Sequence, residues 1–206
     1  MENIFSSHVS REQWNRFIET FIAKNTELNL SAIRSADDIF VKHICDALQL
    51  QALEKQEWHR FFQAWDAVID VGTGGGIPLL PLAITYPDVH FTGLDSVRKK
   101  IDAVADMAQK LGISNVETIW SRAEDYEYGQ YDVMTARAVA FSDKLFKWTY
   151  TLVKKWWLFI LYKMFSEEEE SRLDSYVAQR KMTMLHKHYY KLFDDDIQRV
   201  LYIIKK

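Results

Sequence analysis

The chain has little cysteine, little glycine, almost no net charge and no long apolar run, and each scarcity removes a class of protein. One of its 206 residues is cysteine, Cys45, so no internal disulfide and no cysteine-based zinc site can form. A lone thiol of this kind is expected as a small buried hydrophobe. The formal charge is -3, so a nucleic-acid partner has to be met by a local basic patch and not by the field of the whole molecule. The most apolar stretch, "WWLFILY" from Trp156 to Tyr162, is far too short to span a bilayer. Met1–Ser10 carries no apolar core of a leader. With 48% apolar and 14% aromatic residues the composition is globular. The expectation is a cytoplasmic monomer without metal or membrane contact.

Glycine is scarce yet concentrated. Four of the seven glycines fall within "VIDVGTGGGIP", Val68–Pro78, directly behind a β-branched apolar run. Before this stretch the sequence reads helical: Trp14, Phe17, Ile18, Phe21 and Ile22 recur on one helix face, and Ile39, Ile44, Ala47 and Leu48 make another. Asn29 and Ser31 read as turn or cap residues, and Asp37 and Asp38 suit a helix start. From Val68 the texture alternates between strand and helix. Strands are expected at Val68–Val71, His90–Leu94, Val116–Trp120, Tyr131–Ala136 and Trp157–Phe165, with two late ones near Met182–Tyr190 and Arg199–Ile204. Between them Ser96 is expected to cap a helix with Val97, Ile101, Val104, Ala105, Ala108 and Leu111 inward, stopped by Gly112. "KLFKWTYTLVKK" reads as a further helix, and Ser166 with Glu169 as a capping box opening an acidic helix whose "EEEE" is solvated. This alternation predicts an α/β domain of the Rossmann-like kind, a mostly parallel seven-stranded sheet covered on both faces. Residues 1–65 form a helical cap on the core of residues 66–206, and the whole is one domain.

A glycine loop after the first strand of such a sheet lies at the switch point where ligands bind. A P-loop is excluded, because Gly76 is followed by Ile77 and Pro78 in place of Lys-Ser/Thr. The dinucleotide frame G-x-G-x-x-G fails at Ile77. The pattern acid-x-Gly-x-Gly-x-Gly, with Asp70, Gly72, Thr73, Gly74 and Gly76, suits S-adenosylmethionine. A carboxylate at the strand end can hold the ligand's ammonium group and would repel a pyrophosphate. Asp95 can accept both ribose hydroxyls, although an acid there serves a nicotinamide cofactor equally. S-adenosylmethionine is favoured; a nicotinamide or flavin cofactor and a purely structural turn stay open.

Several further segments are similar to one family, the bacterial 16S ribosomal RNA (guanine-N7) methyltransferases. They are "NLSAI" (Asn29–Ile33), "KHICDAL" (Lys42–Leu48), "DVGTGGGIPLLPLAI" (Asp70–Ile84), "LDSVRKK" (Leu94–Lys100), "SRAED" (Ser121–Asp125) and "YDVMTARAVA" (Tyr131–Ala140), with Lys163 on the fifth strand. The resemblance implies a class I methyltransferase fold, S-adenosylmethionine as methyl donor and 16S RNA, within a small-subunit particle, as partner. It implies cofactor contact at Gly72, Ile77, Asp95, Ala123, Glu124 and Arg137, a catalytic end at Arg137 and Lys163, and RNA contact at Lys42, His43 and Arg122. The chain departs from the family at Leu79, at Lys155-Trp156-Trp157 and at Met164, where glycine is usual. Leu79 is expected to narrow either the room beside the ligand or the helix–sheet contact.

Guanine N7 carries no proton, so transfer to it asks only for in-line positioning at near-attack distance. The fourth strand ends in "TARAVA" without an Asn-Pro-Pro-Tyr motif, and Cys45 lies far upstream; both favour a ring nitrogen over an exocyclic amine or a carbon. Plain structural accounts exist for some residues: a satisfied histidine beside Asp46 for His43, an edge strand for "HKHYYK", a solvated helix face for Arg98–Lys100. The rival readings are a small-molecule methyltransferase, a nicotinamide-dependent oxidoreductase, and a non-catalytic RNA-binding or assembly protein that keeps the fold.

Overall fold

The computed structural model describes residues 9–206 apart from 128, 140 and 194, and the side chain of residue 156 also falls outside it. Most of the Met1–Ser10 stretch read for a leader therefore lies outside the described residues, as do Ala140 at the end of "TARAVA" and the Trp156 side chain.

The chain enters through helix α1, Arg11–Leu28, opened by a reciprocal capping box between Ser10 and Gln13. Trp14, Phe17, Ile18 and Phe21 are buried as their spacing requires, and Asn29 closes the helix in a left-handed conformation at φ 50°. Ser35 caps α2, Ala36–Ile39, which continues as a π-helical turn over Phe40–Cys45 before α3, Gln49–Glu57. Seven strands follow: β1 Ala67–Val71, β2 His90–Asp95, β3 Val116–Trp120, β4 Tyr131–Arg137, β5 Val153–Met164, β6 Thr183–Tyr190 and β7 Arg199–Lys205. Helices α4 Leu79–Thr85, α5 Arg98–Leu111, α6 Ser142–Thr149 and α7 Glu167–Gln179 alternate with them.

The strands form one sheet in the order β3-β2-β1-β4-β5-β7-β6. Strands β1 to β5 run parallel, and β7 is inserted antiparallel between β5 and β6. Because β7 is reversed, Arg199 at its start pairs with Met164 at the end of β5 and Tyr190 at the end of β6. One edge of the sheet thus collects the ends of β1, β2, β4, β5 and β6 and the beginning of β7. One apolar cluster joins Phe17, Phe21, Ile44 and Leu48 of the helical segment to Val68, Leu80, Val104 and Ile203. The other face is filled by Ile69, Met134, Phe146, Phe159, Leu173 and Tyr202.

Four local expectations are corrected. Helix α5 starts after Val97, not from a Ser96 cap, because the Asp95 carboxylate takes the Val97 N–H at 2.9 Å. Its buried face is Ile101, Ala103, Val104, Met107 and Ala108, whereas Ala105 and Val97 are exposed. The helix expected through Lys155 ends at Thr149. Val153 already pairs with Tyr131 in the sheet, and Lys154 meets Asp132 at 2.6 Å. Ser166 accepts the Glu169 N–H at 3.2 Å, but the Glu169 carboxylate does not return to it, and Glu169 is buried instead of solvated.

Leu79 is fully buried at the start of α4. A Cβ on Gly93 of β2 would lie 2.7 Å from Leu79 Cδ2. The bulk at position 79 is thus taken up in the helix–sheet contact, in the space a side chain at position 93 would fill.

Candidate active site

At the end of β1, Asp70 is 1% exposed and accepts a 2.7 Å hydrogen bond from the Thr135 hydroxyl of β4 through Oδ1. Among the described residues its other oxygen, Oδ2, and Thr73 Oγ1 are buried without a hydrogen-bond partner, although the Thr73 hydroxyl is near enough to lower the Asp70 pKa. Burial pushes the Asp70 carboxyl up to about 7, against the pull of the two threonine hydroxyls and Arg137. Two buried polar atoms without partners at a switch point call for a ligand that supplies donors and positive charge.

The loop that follows is shaped by glycine for two separate reasons. Gly72 has φ +71° and presses so closely on Val139 that a Cβ would come within 2.8 Å of Val139 Cγ2; Gly76, at φ +83°, would clash with Leu80 at the same distance. Beside Gly74 the nearest atom to a notional Cβ is Gly72 O at 3.8 Å, so that side of the loop is open. Gly74 donates its N–H to Asp95 Oδ2 at 2.9 Å, which fixes the second acid against the loop. Each carboxylate oxygen of Asp95 spends one acceptor site on the backbone and keeps capacity for a diol. Ile77 is buried behind the loop. On the rim, Ala123 packs against the second apolar cluster, while the exposed Glu124 pairs with Arg122 at 3.2 Å.

Beyond Val139 opens a cavity of about 510 Å³, walled on one side by Arg137, Asp46, Tyr190 and Arg199. Asp46, just after the π-helical turn, is 3% exposed. Its Oδ2 meets Arg137 Nε at 3.0 Å, and its Oδ1 accepts from the Tyr190 hydroxyl at 2.7 Å with Arg199 Nε at 3.8 Å. Arg137 also donates through Nη2 to the Lys42 carbonyl at 2.9 Å. The guanidinium at the end of β4 is therefore held by the turn of "KHICDAL". Burial, then the Asp46 charge, drives the Tyr190 hydroxyl well above its usual pKa and keeps it a donor.

His43 is buried beside this clamp, but its partners are Ser31 at 3.1 Å, the Lys42 carbonyl and Arg137, not Asp46 as its sequence position suggested. Burial and the Arg137 charge push it down to about 4, so it is neutral at physiological pH. Edge-on against Phe21, it ties the helical segment to the active-site edge. Lys42 turns to Asp38 on its own helix. His186 packs on Phe61 and His188 stacks on Tyr190, in keeping with an edge strand.

Lys163 and Glu169 also line the cavity. Lys163 Nζ lies 3.1 Å from Glu169 Oε1 and donates to the Val139 carbonyl at 3.2 Å, and both side chains are under a tenth exposed. Glu169 Oε1 also accepts from the Ser142 N–H at 3.1 Å and from the Ser142 hydroxyl. Met164, at 68% exposure, stands on the rim. Sequence reasoning missed Glu169 and Arg199, and favoured a plain edge-strand reading for Tyr190. Only Asp46 had left a signal, an acid three residues after a histidine in an otherwise apolar helical face.

The strand order with its reversed seventh strand, and the glycine crevice at the switch point, define a class I methyltransferase domain. A sequence model of the family described as rRNA small subunit methyltransferase G matches residues 10–197. The ribosomal RNA small subunit methyltransferase G of Hydrogenovibrio crunogenus is 35% identical over 166 residues, 79% of this chain and 72% of that protein. That of Leuconostoc citreum is 33% identical over 164 residues, 77% of this chain and 67% of that protein. The chain belongs to the rRNA small subunit methyltransferase G family. Among solved structures, M. capricolum TrmK in complex with its natural cofactor product S-adenosyl-homocysteine superposes with a TM-score of 0.57 at 16% identity, covering 77% of this chain and 67% of that one. Among the described residues no helix is long and apolar enough to cross a membrane, and no cluster of three metal-ligating side chains occurs.

Proposed function

We propose that this protein transfers a methyl group from S-adenosylmethionine to N7 of one guanine in 16S ribosomal RNA, acting as a monomer on a small-subunit particle. One observation carries the reading: in a chain of this family, an unpartnered buried carboxylate oxygen beside an open glycine loop adjoins, across Val139, a cavity walled by paired charges. The bound cofactor supplies an electrophilic methyl group on a sulfonium.

Asp70 Oδ2 and the Thr73 hydroxyl would hold the ammonium end of the cofactor, and Asp95 the ribose diol. Gly72, Gly74, Gly76 and Ile77 would line its path, with Ala123 and Glu124 beside the adenine. Arg137, anchored by Asp46 and the Lys42 carbonyl, has a fixed guanidinium with which to orient the entering nucleotide. Both carboxylates of the cavity are neutralised by a cation, Asp46 by Arg137 and Glu169 by Lys163, so neither is set up as a general base. N7 needs none, because its lone pair is already available. The task left to the chain is alignment. Lys42 and Arg122, whose side chains reach solvent, suit RNA backbone contacts. His43, neutral and enclosed, acts through Arg137 and not on RNA.

The test is direct. The purified chain should bind S-adenosylhomocysteine in calorimetry and transfer label from S-adenosylmethionine to small-subunit RNA, with 7-methylguanosine recovered on nucleoside analysis. Methylation of a free metabolite with none on RNA, or preferential binding of a nicotinamide, would refute it.

A further inference from the structure

Glu169 is the outlier of its sequence neighbourhood. It sits in a run of four glutamates at the start of α7, yet it is 5% exposed where Glu167 and Glu168 are solvated. Among the described residues its donors converge on one oxygen: Oε1 takes Lys163 Nζ, the Ser142 N–H and the Ser142 hydroxyl. Among the described residues Oε2 meets no hydrogen-bond donor and is not fully sealed from solvent, and the residue lines the cavity. Asp46, the other acid lining the cavity, has both oxygens engaged. A desolvated carboxylate with one oxygen open to a cavity is an acceptor awaiting donors.

The order of groups along the wall matches a particular ligand. Val139 touches Gly72 of the cofactor loop, Lys163 bonds the Val139 carbonyl, and Glu169 bonds Lys163. Around the edge of guanine the sequence is N7, O6, N1–H and the N2 amino group. With N7 turned to the glycine loop, O6 faces the ammonium, and the two N–H donors face Glu169. Adenine reverses both matches: its N6 amino group would meet the ammonium and its N1 lone pair the carboxylate.

We infer that Glu169 is the base-specificity residue of this site, its Oε2 accepting from N1–H and the N2 amino group of a guanine swung out of its stack into the cavity, with O6 set against the positive charge of Lys163. This rests on the proposed function. Ser142 holds the carboxylate in place from the start of α6, which gives that helix terminus a role in choosing the base.

The experiment uses the full chain. Once the methylated guanine is mapped, ligated RNAs carry guanine, inosine or adenine at that one position, and kcat/KM is measured for the wild-type chain and for Glu169→Gln. Inosine keeps N7, O6 and N1–H but lacks the N2 amino group. The wild-type chain should use inosine about 10- to 100-fold less well than guanine, the scale of one hydrogen bond to a charged group. In E169Q, which retains an acceptor for Ser142, the guanine-to-inosine ratio should fall toward one and adenine should gain on guanine. S-adenosylhomocysteine affinity should stay unchanged in the variant. Equal use of guanine and inosine by the wild-type chain overturns the inference even if the variant does not fold, and so does an unchanged ratio in a folded E169Q. Failure of the wild-type chain to methylate any guanine removes the proposed function and this inference with it, a separate signature.

Discussion

Along one edge of the sheet, the cofactor crevice takes its polar groups from a single stretch, Asp70 to Gly76, with Asp95 one strand away. The cavity beside it draws Asp46, Arg137, Lys163, Glu169, Tyr190 and Arg199 from six elements spread over the whole chain. The crevice is a problem of backbone shape, solved by glycine where Val139 and Leu80 leave no space for a side chain. The cavity is a problem of charge. Two acids and three cations taken largely out of water are tolerable only when they neutralise one another and their hydrogen bonds are filled. A backbone problem has a local solution, whereas a charge problem needs partners from wherever the fold brings them.

Asp46→Asn breaks this contrast hardest. It leaves Arg137 and Arg199 without their shared carboxylate, so we expect a loss of about 3 kcal/mol in urea denaturation and a drop in methyl transfer carried mainly by KM for RNA. Because the crevice does not depend on Asp46, S-adenosylhomocysteine affinity should hold. A variant that loses cofactor affinity in step with transfer would show that the two regions are one unit.

Gly93→Ala tests the packing beneath the crevice. The new methyl group would lie 2.7 Å from Leu79 Cδ2, and overpacking of a closed core costs about 1–3 kcal/mol. Leu79→Ala should recover part of that loss when combined with it, a coupling read from a double-mutant cycle. Strict additivity of the two changes would mean that Leu79 and Gly93 do not share the space assigned to them.

The smallest effect is a pH dependence confined to the crevice. The Asp70 carboxyl is held up to about 7, against a usual value near 3.8, chiefly by burial. Between those values the folded chain binds a proton that the unfolded chain has released. This group's contribution to stability therefore declines as pH rises from about 4 to about 7. A cationic ligand favours the ionised form, so S-adenosylhomocysteine affinity should rise about tenfold from pH 6 to 8, and Asp70→Asn should flatten the curve. A flat wild-type profile in calorimetry would place the ligand's positive charge away from Asp70.

The legibility of the sequence follows the same division. Helix α1, the strands and the glycine loop were readable because each depends on the period of apolar residues or on a backbone conformation encoded within a few residues. Glu169 was misread for the same reason. Within "EEEE" nothing distinguishes it from its neighbours, and only Lys163 on β5 and Ser142 on α6 draw it inward. The extension of β5 back to Val153 was hidden likewise, since "KLFKWTYTLVKK" has helical spacing and only pairing with Tyr131 turns its last residues into strand. His43 was read beside the wrong partner because the π-helical turn and the arrival of Arg137 are both tertiary facts.

By itself the sequence determined the alternation of strands and helices, the position of the glycine crevice and the acids at the ends of β1 and β2, since backbone shape and apolar periodicity are local quantities. The tertiary structure decided which charges are buried together, which oxygen of Glu169 takes its donors and where the bulk of Leu79 is accommodated. These depend on solvent exclusion and on distances between residues up to 144 positions apart, as for Tyr190 and Asp46, and no spacing within the chain encodes them.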